Sequence, residues 1–398
     1  MSTWDPSTFS HAAHVLAEAG PEAHADVVLR RYFVSHDWLG ARERRAISKA
    51  VFISYRWRNW TDREKVTEQQ VAQACELQDK FDRDPRSIKV EALAARAIPD
   101  WIKTELEMPD GFLREIQHDP TLWLRAKPGT AAALADQLGH CVIFDRDALN
   151  YRGAQDLFLT EQFHKGAFEI QDLASQWVSW VANPQPGQLW WDACAGEGGK
   201  TLHLADLMQN KGVVWASDRS ERRLTVLQKR AKRASLFNIR IAEGTPRGSN
   251  YDGVLVDAPC SGLGTWQRNP HARWTTTPED VKELAAVQMK LLKSAAVKIK
   301  TGGKLVYAVC TLTRSETVGV AEAFSAANPA FQPLAVDGPG GAASPKTLAD
   351  PGAISQPKTG PTQRVGDNAL HQHTSVGRLL WPQEYHSNGM YVAAWQKS

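Results

Sequence analysis

The chain has 398 residues, 42% of them hydrophobic, with 47 Lys and Arg against 44 Asp and Glu and a net charge of +3. That apolar share excludes a disordered chain and suffices for two or three domains. Charge so near balance identifies no nucleic-acid partner by itself, and no apolar run approaches the ~20 residues of a membrane helix.

The start, Met1-Ser2-Thr3-Trp4-Asp5, lacks a basic segment followed by an apolar core, so no signal peptide is expected. Cys75, Cys141, Cys194, Cys260 and Cys310 are scattered, with no CxxC pair. A sparse odd set fits a reducing cytoplasm, and no zinc or other metal site is expected. A cytoplasmic location follows as the expectation. Over 9–85, apolar residues recur at helical spacing: Phe9, Ala12, Val15 and Leu16; Val27, Leu29, Tyr32 and Phe33; Ile47, Val51 and Tyr55. Residues 30–65 concentrate cations: Arg30, Arg31, Arg42, Arg44, Arg45, Lys49, Arg56, Arg58, Arg63 and Lys65, interleaved with Trp38, Trp57 and Trp60. Such a stretch suits a phosphate-binding surface with stacking groups. It equally suits solvated helix faces with Trp in the core.

Residues 86–115 carry helix and loop signals. From 119 to 180 the pattern mixes types: a strand at 122–125, a helix at 130–138, a strand at 142–144, and a strand at 163–172 leading into a helix at 174–181. From 187 onward strands are expected at 189–191, 213–216, 238–242, 254–256 and 304–309. Helices are expected at 201–208, 222–234, 278–299 and 315–326. That alternation argues for a doubly wound α/β sheet, on which ligands sit beyond the carboxyl ends of the strands. Residues 337–361 are rich in Gly and Pro and read as loop, and 390–395 reads as a closing strand.

Three motifs fall at those strand ends. The first is Asp192-Ala193-Cys194-Ala195-Gly196-Glu197-Gly198-Gly199-Lys200-Thr201, a turn whose glycines let backbone approach a ligand at a helix N-terminus. Its Gly199-Lys200-Thr201 copies the end of a phosphate-binding P-loop, but Cys194 stands where that loop needs its first Gly. After the next strand, Asp218 is positioned to hold ribose hydroxyls, or to cap the helix that starts near Ser220. The second and third motifs are Asp257-Ala258-Pro259-Cys260 and Val309-Cys310-Thr311. A lone Cys is usually a small buried hydrophobe. Two after two such strands, beside a Gly-rich turn, point to covalent chemistry next to a nucleotide-like cofactor.

These residues resemble the RsmB/Nop2/Sun family of RNA cytosine-5 methyltransferases. Residues 192–201 are similar to its D-x-C-A-x-P-G-G-K-T turn, with Glu197 for Pro, and 257–274 match its fourth motif almost throughout. Looser similarities extend to both ends: 39–47 resembles a NusB-like helical domain, and Arg125, Lys127, Gln171, Asp172 and Ser175 fall on its LR-x-N and Q-D-x-x-S segments.

The resemblance implies a Rossmann-like class I methyltransferase fold at 186–398, with a flexible loop at 337–375. It implies a small α/β RNA-seating subdomain at 116–185 and a helical NusB-like RNA-binding domain at 1–115. It implies S-adenosylmethionine as cofactor, held by Cys194, Ala195, Gly196, Glu197, Gly198, Gly199, Lys200, Asp218, Glu243 and Asp257. Cys310 becomes the nucleophile toward carbon 6 of cytosine, Cys260 the group assisting release, and Asp257 the group steadying the pyrimidine. DNA cytosine methyltransferases use the Cys of a Pro-Cys pair as nucleophile, so the reverse assignment stays open. Lys200 either donates toward the base, orients Asp257, or caps backbone carbonyls. Ribosomal RNA is the expected partner, ahead of transfer RNA, and a monomer is expected. The departures at Glu197, Glu243 and Val309 leave a second reading: an RNA-binding ribosome assembly factor of the same fold with little or no turnover.

Overall fold

A computed structural model describes residues 4–61, 67–248, 250–339 and 376–398. Arg63 and Lys65 of the basic stretch, and residues 340–375 of the expected flexible loop, lie outside the described residues. The chain forms two compact units, Met1–Pro120 with Ser261–Glu283, and Thr121–Cys260 with Leu284–Ser398.

The first unit is built on four long helices, Pro6–Glu18, Ala25–Ser35, Ala41–Arg56 and Glu68–Arg83. Their ends are set locally. Asp5 accepts a hydrogen bond from the Ser7 amide, and Thr67 and Gln70 cap one another reciprocally. Ala12, Val15, Ile47, Val51, Trp57 and Phe81 are buried at the centre of the unit. The segment 261–283 is fixed there by polar bonds. Buried Arg273 donates to the carbonyls of Ala97 and Ile116 and to Gln117 Oε1, and the Trp274 indole donates to the Tyr55 carbonyl. The aromatic and basic residues of this stretch divide between core, surface and ion pairs. Trp57 is core, whereas Trp38 is 65% exposed. Arg30 and Arg31 pair with Asp26 and Glu18, and Lys49 and Arg56 both pair with Asp119.

The second unit contains two sheets. β1 (Leu122–Ala126), β2 (Cys141–Asp145), β3 (Ala148–Tyr151) and β4 (Phe168–Ile170) form an antiparallel sheet in the order β2-β3-β1-β4. The strand expected at 163–172 is confined to Phe168–Ile170, because Glu161–His164 is a helical turn capped by Thr160. The small sheet has an apolar core of its own around Leu124, Leu134 and Phe168, and it also contributes to the larger one. Trp123 and Ala148 belong to the same apolar core as Trp177 and Trp190, so the residues on both sides of 186 share one interior. Arg125, buried, pairs with Asp206 and donates to Gln171 Oε1, while Lys127 Nζ lies 3.0 Å from Asp206 Oδ1. The LR-x-N and Q-D segments are thus occupied with internal bonds.

The large sheet comprises β5 (Leu189–Asp192), β6 (Val213–Ala216), β7 (Ile239–Ile241), β8 (Tyr251–Asp257), β9 (Ile299–Val309), β10 (Phe331–Leu334), β11 (Arg378–Leu380) and β12 (Met390–Lys397). Its order is β10-β12-β9-β8-β5-β6-β7, with β11 also on β12. β5 to β9 are parallel, and β10, β11 and β12 add antiparallel edges. Val254, Leu255 and Val256 of β8 and Leu305 to Val309 of β9 are fully buried, as parallel strands covered on both faces must be. The chain runs β5-β6-β7 toward one edge, then returns to the other side of β5 with β8 and β9. The order therefore reverses between β5 and β8, the kind of crevice where open α/β sheets bind ligands. No helix among the described residues is long and apolar enough to cross a membrane.

Candidate active site

The turn after β5 is held to its neighbours by backbone bonds: Ala193 N–H to the Leu255 carbonyl and Ala195 N–H to the Ser217 carbonyl. Gly196 has φ of +53° and Gly198 of +89°. A Cβ on Gly198 would lie 2.6 Å from Leu227 Cγ and 2.7 Å from Leu202 Cδ1, so only glycine fits there. The turn leads into the helix Gly199–Leu207, whose first N–H groups have no partner within the helix. Beneath it, buried Asp192 accepts from Thr201 Oγ1 at 2.7 Å, and burial pushes its carboxyl up to about 7.

Asp218 holds two backbone amides and faces a cavity. Its Oδ1 accepts from the Ser220 amide at 2.8 Å, and its Oδ2 from the Gly196 amide at 2.9 Å, while the side chain also lines a cavity. Glu197 is exposed, and its carbonyl accepts from Arg230. The cavity, of about 480 Å³, is bounded by Ala193–Glu197 and Gly199–Lys200, by Asp218, and by Asp257–Cys260 and Cys310. Gly198 shapes the turn without lining the cavity. Glu243 is exposed and is not on the cavity wall: β7 ends at Ile241, and the chain leaves the sheet before that carboxylate can face inward. Sequence reasoning missed Arg219, Arg223, Val287 and Leu291, which line it as well. Val287 and Leu291 stand four apart on the helix Pro278–Ala296, so they share a face. Nothing in the sequence distinguishes that face from an ordinary core stripe.

The reactive groups meet because β8 and β9 are adjacent and parallel, with Asp257 in register with Ala308. Cys310 follows β9 by one residue and Cys260 follows β8 by three. Their Sγ atoms are 3.4 Å apart. Across the turn, Lys200 Nζ is 2.7 Å from Asp257 Oδ2. Burial presses the Lys200 ammonium toward its neutral form, but the Asp257 carboxylate outweighs it and its pKa is raised. The hydrogen bond from Cys260 holds the Cys310 thiol below its usual range, against burial and the Asp257 charge, with Lys200 assisting. Cys194, by contrast, is pushed upward by burial and nearby carboxylates, as befits a thiol belonging to the turn. Among the described residues no group of three or more His, Cys, Asp or Glu is placed to hold a metal ion.

A family model described as 16S rRNA methyltransferase RsmB/F matches residues 179–396. A probable ribosomal RNA small subunit methyltransferase B of Synechocystis is 42% identical over 169 residues, 41% of this chain and 38% of the relative. The chain thus matches well under half the length of that protein. Among solved structures, one titled PH0851 superposes with a TM-score of 0.71 at 20% identity, covering 100% of both chains. A methyltransferase homolog protein from Pyrococcus horikoshii gives 0.56 at 24% identity, over 72% of this chain and 90% of its own. Both likenesses establish the class I Rossmann-like fold.

S-adenosylmethionine is the cofactor, and the residues present fit it. The Gly-rich turn offers backbone amides at a helix N-terminus, Asp218 offers a carboxylate for hydroxyls, and Val287 and Leu291 give an apolar wall. With its class I sheet, its Gly-rich turn and a family match over more than half its length, this chain belongs to the RsmB/F family of 16S rRNA methyltransferases.

Proposed function

We propose that the protein methylates carbon 5 of a cytosine in small-subunit ribosomal RNA through a covalent adduct on Cys310. The observation that carries this reading is the 3.4 Å separation of the Cys260 and Cys310 sulfurs at the wall of the cavity. Carbon 5 of cytosine is a poor nucleophile. Addition of the Cys310 thiolate to carbon 6 forms an S–C6 bond and moves electron density to carbon 5. The bound cofactor supplies a methyl group made electrophilic by its sulfonium. The Asp257 carboxylate accepts a hydrogen bond from the 4-amino group on the N3 edge of the base, and the Lys200 ammonium holds that carboxylate in place. A base then removes the carbon 5 proton, the S–C6 bond breaks with its electrons returning to sulfur, and the C5=C6 double bond is restored. Cys260, beside the departing sulfur, assists this release. The target nucleotide leaves its stack to reach the cavity.

Ribosomal RNA is favoured as substrate by the names of the relatives, which are called ribosomal RNA small subunit methyltransferases. The test is bisulfite mapping of ribosomal RNA from a strain lacking the gene, before and after incubation with the protein and S-adenosylmethionine. One cytosine should become bisulfite-resistant. Absence of methyl transfer to any RNA, with cofactor binding intact, would favour the assembly-factor reading instead.

A further inference from the structure

The two cysteine-bearing turns are joined by a buried side chain that is not on the wall of the cavity described above. Gln288 lies on the helix Pro278–Ala296 and is fully buried. Its Nε2 donates to the Pro259 carbonyl at 2.9 Å, next to Cys260, and to Glu316 Oε1 at 3.0 Å, in the turn that follows Cys310. Its Oε1 lies 2.9 Å from the Tyr307 hydroxyl, which is also 2.6 Å from the Glu316 carbonyl. Thr313 Oγ1 donates to the other Glu316 oxygen at 2.8 Å. Gln288, Tyr307, Thr313 and Glu316 are all 0% exposed.

From these contacts we infer that Gln288 is a positioning residue, whose amide ties the two turns together and so fixes the separation of the two thiols. Both amide hydrogens have acceptors, and the amide oxygen shares the single Tyr307 hydroxyl hydrogen with the Glu316 carbonyl, so the orientation is determined. Rotating the amide by half a turn would aim its oxygen at a carbonyl and a carboxylate, with no donor between them. In a buried, low-dielectric setting such bonds are stiff, and losing one leaves a partner unsatisfied. The strand ends are tied by the bond from the Ala258 amide to the Ala308 carbonyl, and the Gln288 amide carries that connection out to the two turns.

The inference builds on the proposed roles of the cysteines, but its test reads thiol geometry without RNA or cofactor. Diamide takes up the two thiol hydrogens as the sulfurs of Cys260 and Cys310 bond, and peptide mass spectrometry measures the rate. The wild-type protein should form this disulfide readily. Gln288→Met and Gln288→Glu should slow it at least about tenfold, since misplacing reacting groups by about 1 Å can cost up to about 10²-fold. Gln288→Met should also move the pH profile of Cys310 alkylation upward, because the Cys260 hydrogen bond is loosened. Val214→Ala, a core change in β6, serves as the control. It should lower the melting temperature and leave the trapping rate alone. Trapping at the wild-type rate in the Gln288 variants would overturn the inference, as would equal slowing in Val214→Ala at equal loss of stability. A wild-type protein that never forms the disulfide would overturn it too. Should the Gln288 variants fail to fold, Tyr307→Phe decides: slowed trapping supports the bridge, and an unchanged rate refutes it. A protein that traps as expected but methylates no RNA would sink the enzymatic reading and leave the bridge standing.

Discussion

Lys200 Nζ and Asp257 Oδ2 are 2.7 Å apart, joining the Gly-rich turn after β5 to the end of β8. The pair puts a cation at the cavity wall that also favours the Cys310 thiolate. Lys200→Met should lower the methylation rate by about 10²-fold or more, the usual scale for a lost electrostatic partner at a reacting centre. Cofactor affinity, measured by calorimetry with S-adenosylhomocysteine, should change far less. A rate within about twofold of wild type would remove Lys200 from the catalytic group.

The Gly-rich turn predicts a contrast between two glycines. Gly198→Ala combines left-handed backbone with overlap against Leu227 and Leu202. It should cost about 2–4 kcal/mol in urea unfolding. Gly196→Ala has the same handedness but open space, and should cost about 1 kcal/mol. Equal costs would mean that the packing against Leu227 gives way freely.

The Cys310 thiol, held below its ordinary range, should be alkylated faster than Cys194 or Cys75, both of which are raised by burial. Its rate should rise with pH through the lowered pKa and level off. In Cys260→Ala the whole profile should shift to higher pH, because the hydrogen bond that favours the thiolate is gone. Rates followed peptide by peptide check this, and an unshifted profile would assign the lowering to Lys200 instead.

Acid should destabilise the protein through two buried histidines. His271 is lowered to about 4 and His203 well below 6.5, in each case chiefly by burial. The unfolded chain takes up protons near pH 6.5 while the folded chain does not. Their contribution is therefore complete above pH 6.5 and declines as pH falls toward 4. Urea midpoints over that range should decrease, and His271→Gln should reduce the slope by about one proton. A slope unchanged by that substitution would mean that His271 titrates normally.

Much of the second unit was legible in the sequence, because its parallel strands are short apolar runs ended by turn residues, as at 189–191, 213–216 and 304–309. β3, β10 and β11 were not. β3 and β11 are only four and three residues long, and β10 carries Pro333, which its edge position tolerates. The cysteines, Lys200, Asp218 and Asp257 were found because strand ends mark ligand sites. Gln288 was hidden, since a Gln in a long amphipathic helix gives no periodic signal and its partners are far away in sequence. The fourth motif conceals a division as well. Asp257–Cys260 line the cavity, whereas Arg273 and Trp274 fasten the following segment inside the helical unit. The motif match runs through both halves without marking that division.

The division of labour between the two thiols can be tested by mixing each alanine variant with substrate RNA and cofactor and running a denaturing gel. Cys260→Ala should accumulate a protein–RNA adduct that survives denaturant, because attack proceeds and release stalls, while Cys310→Ala should form none. An adduct with Cys310→Ala, and none with Cys260→Ala, would reverse the roles and contradict the account.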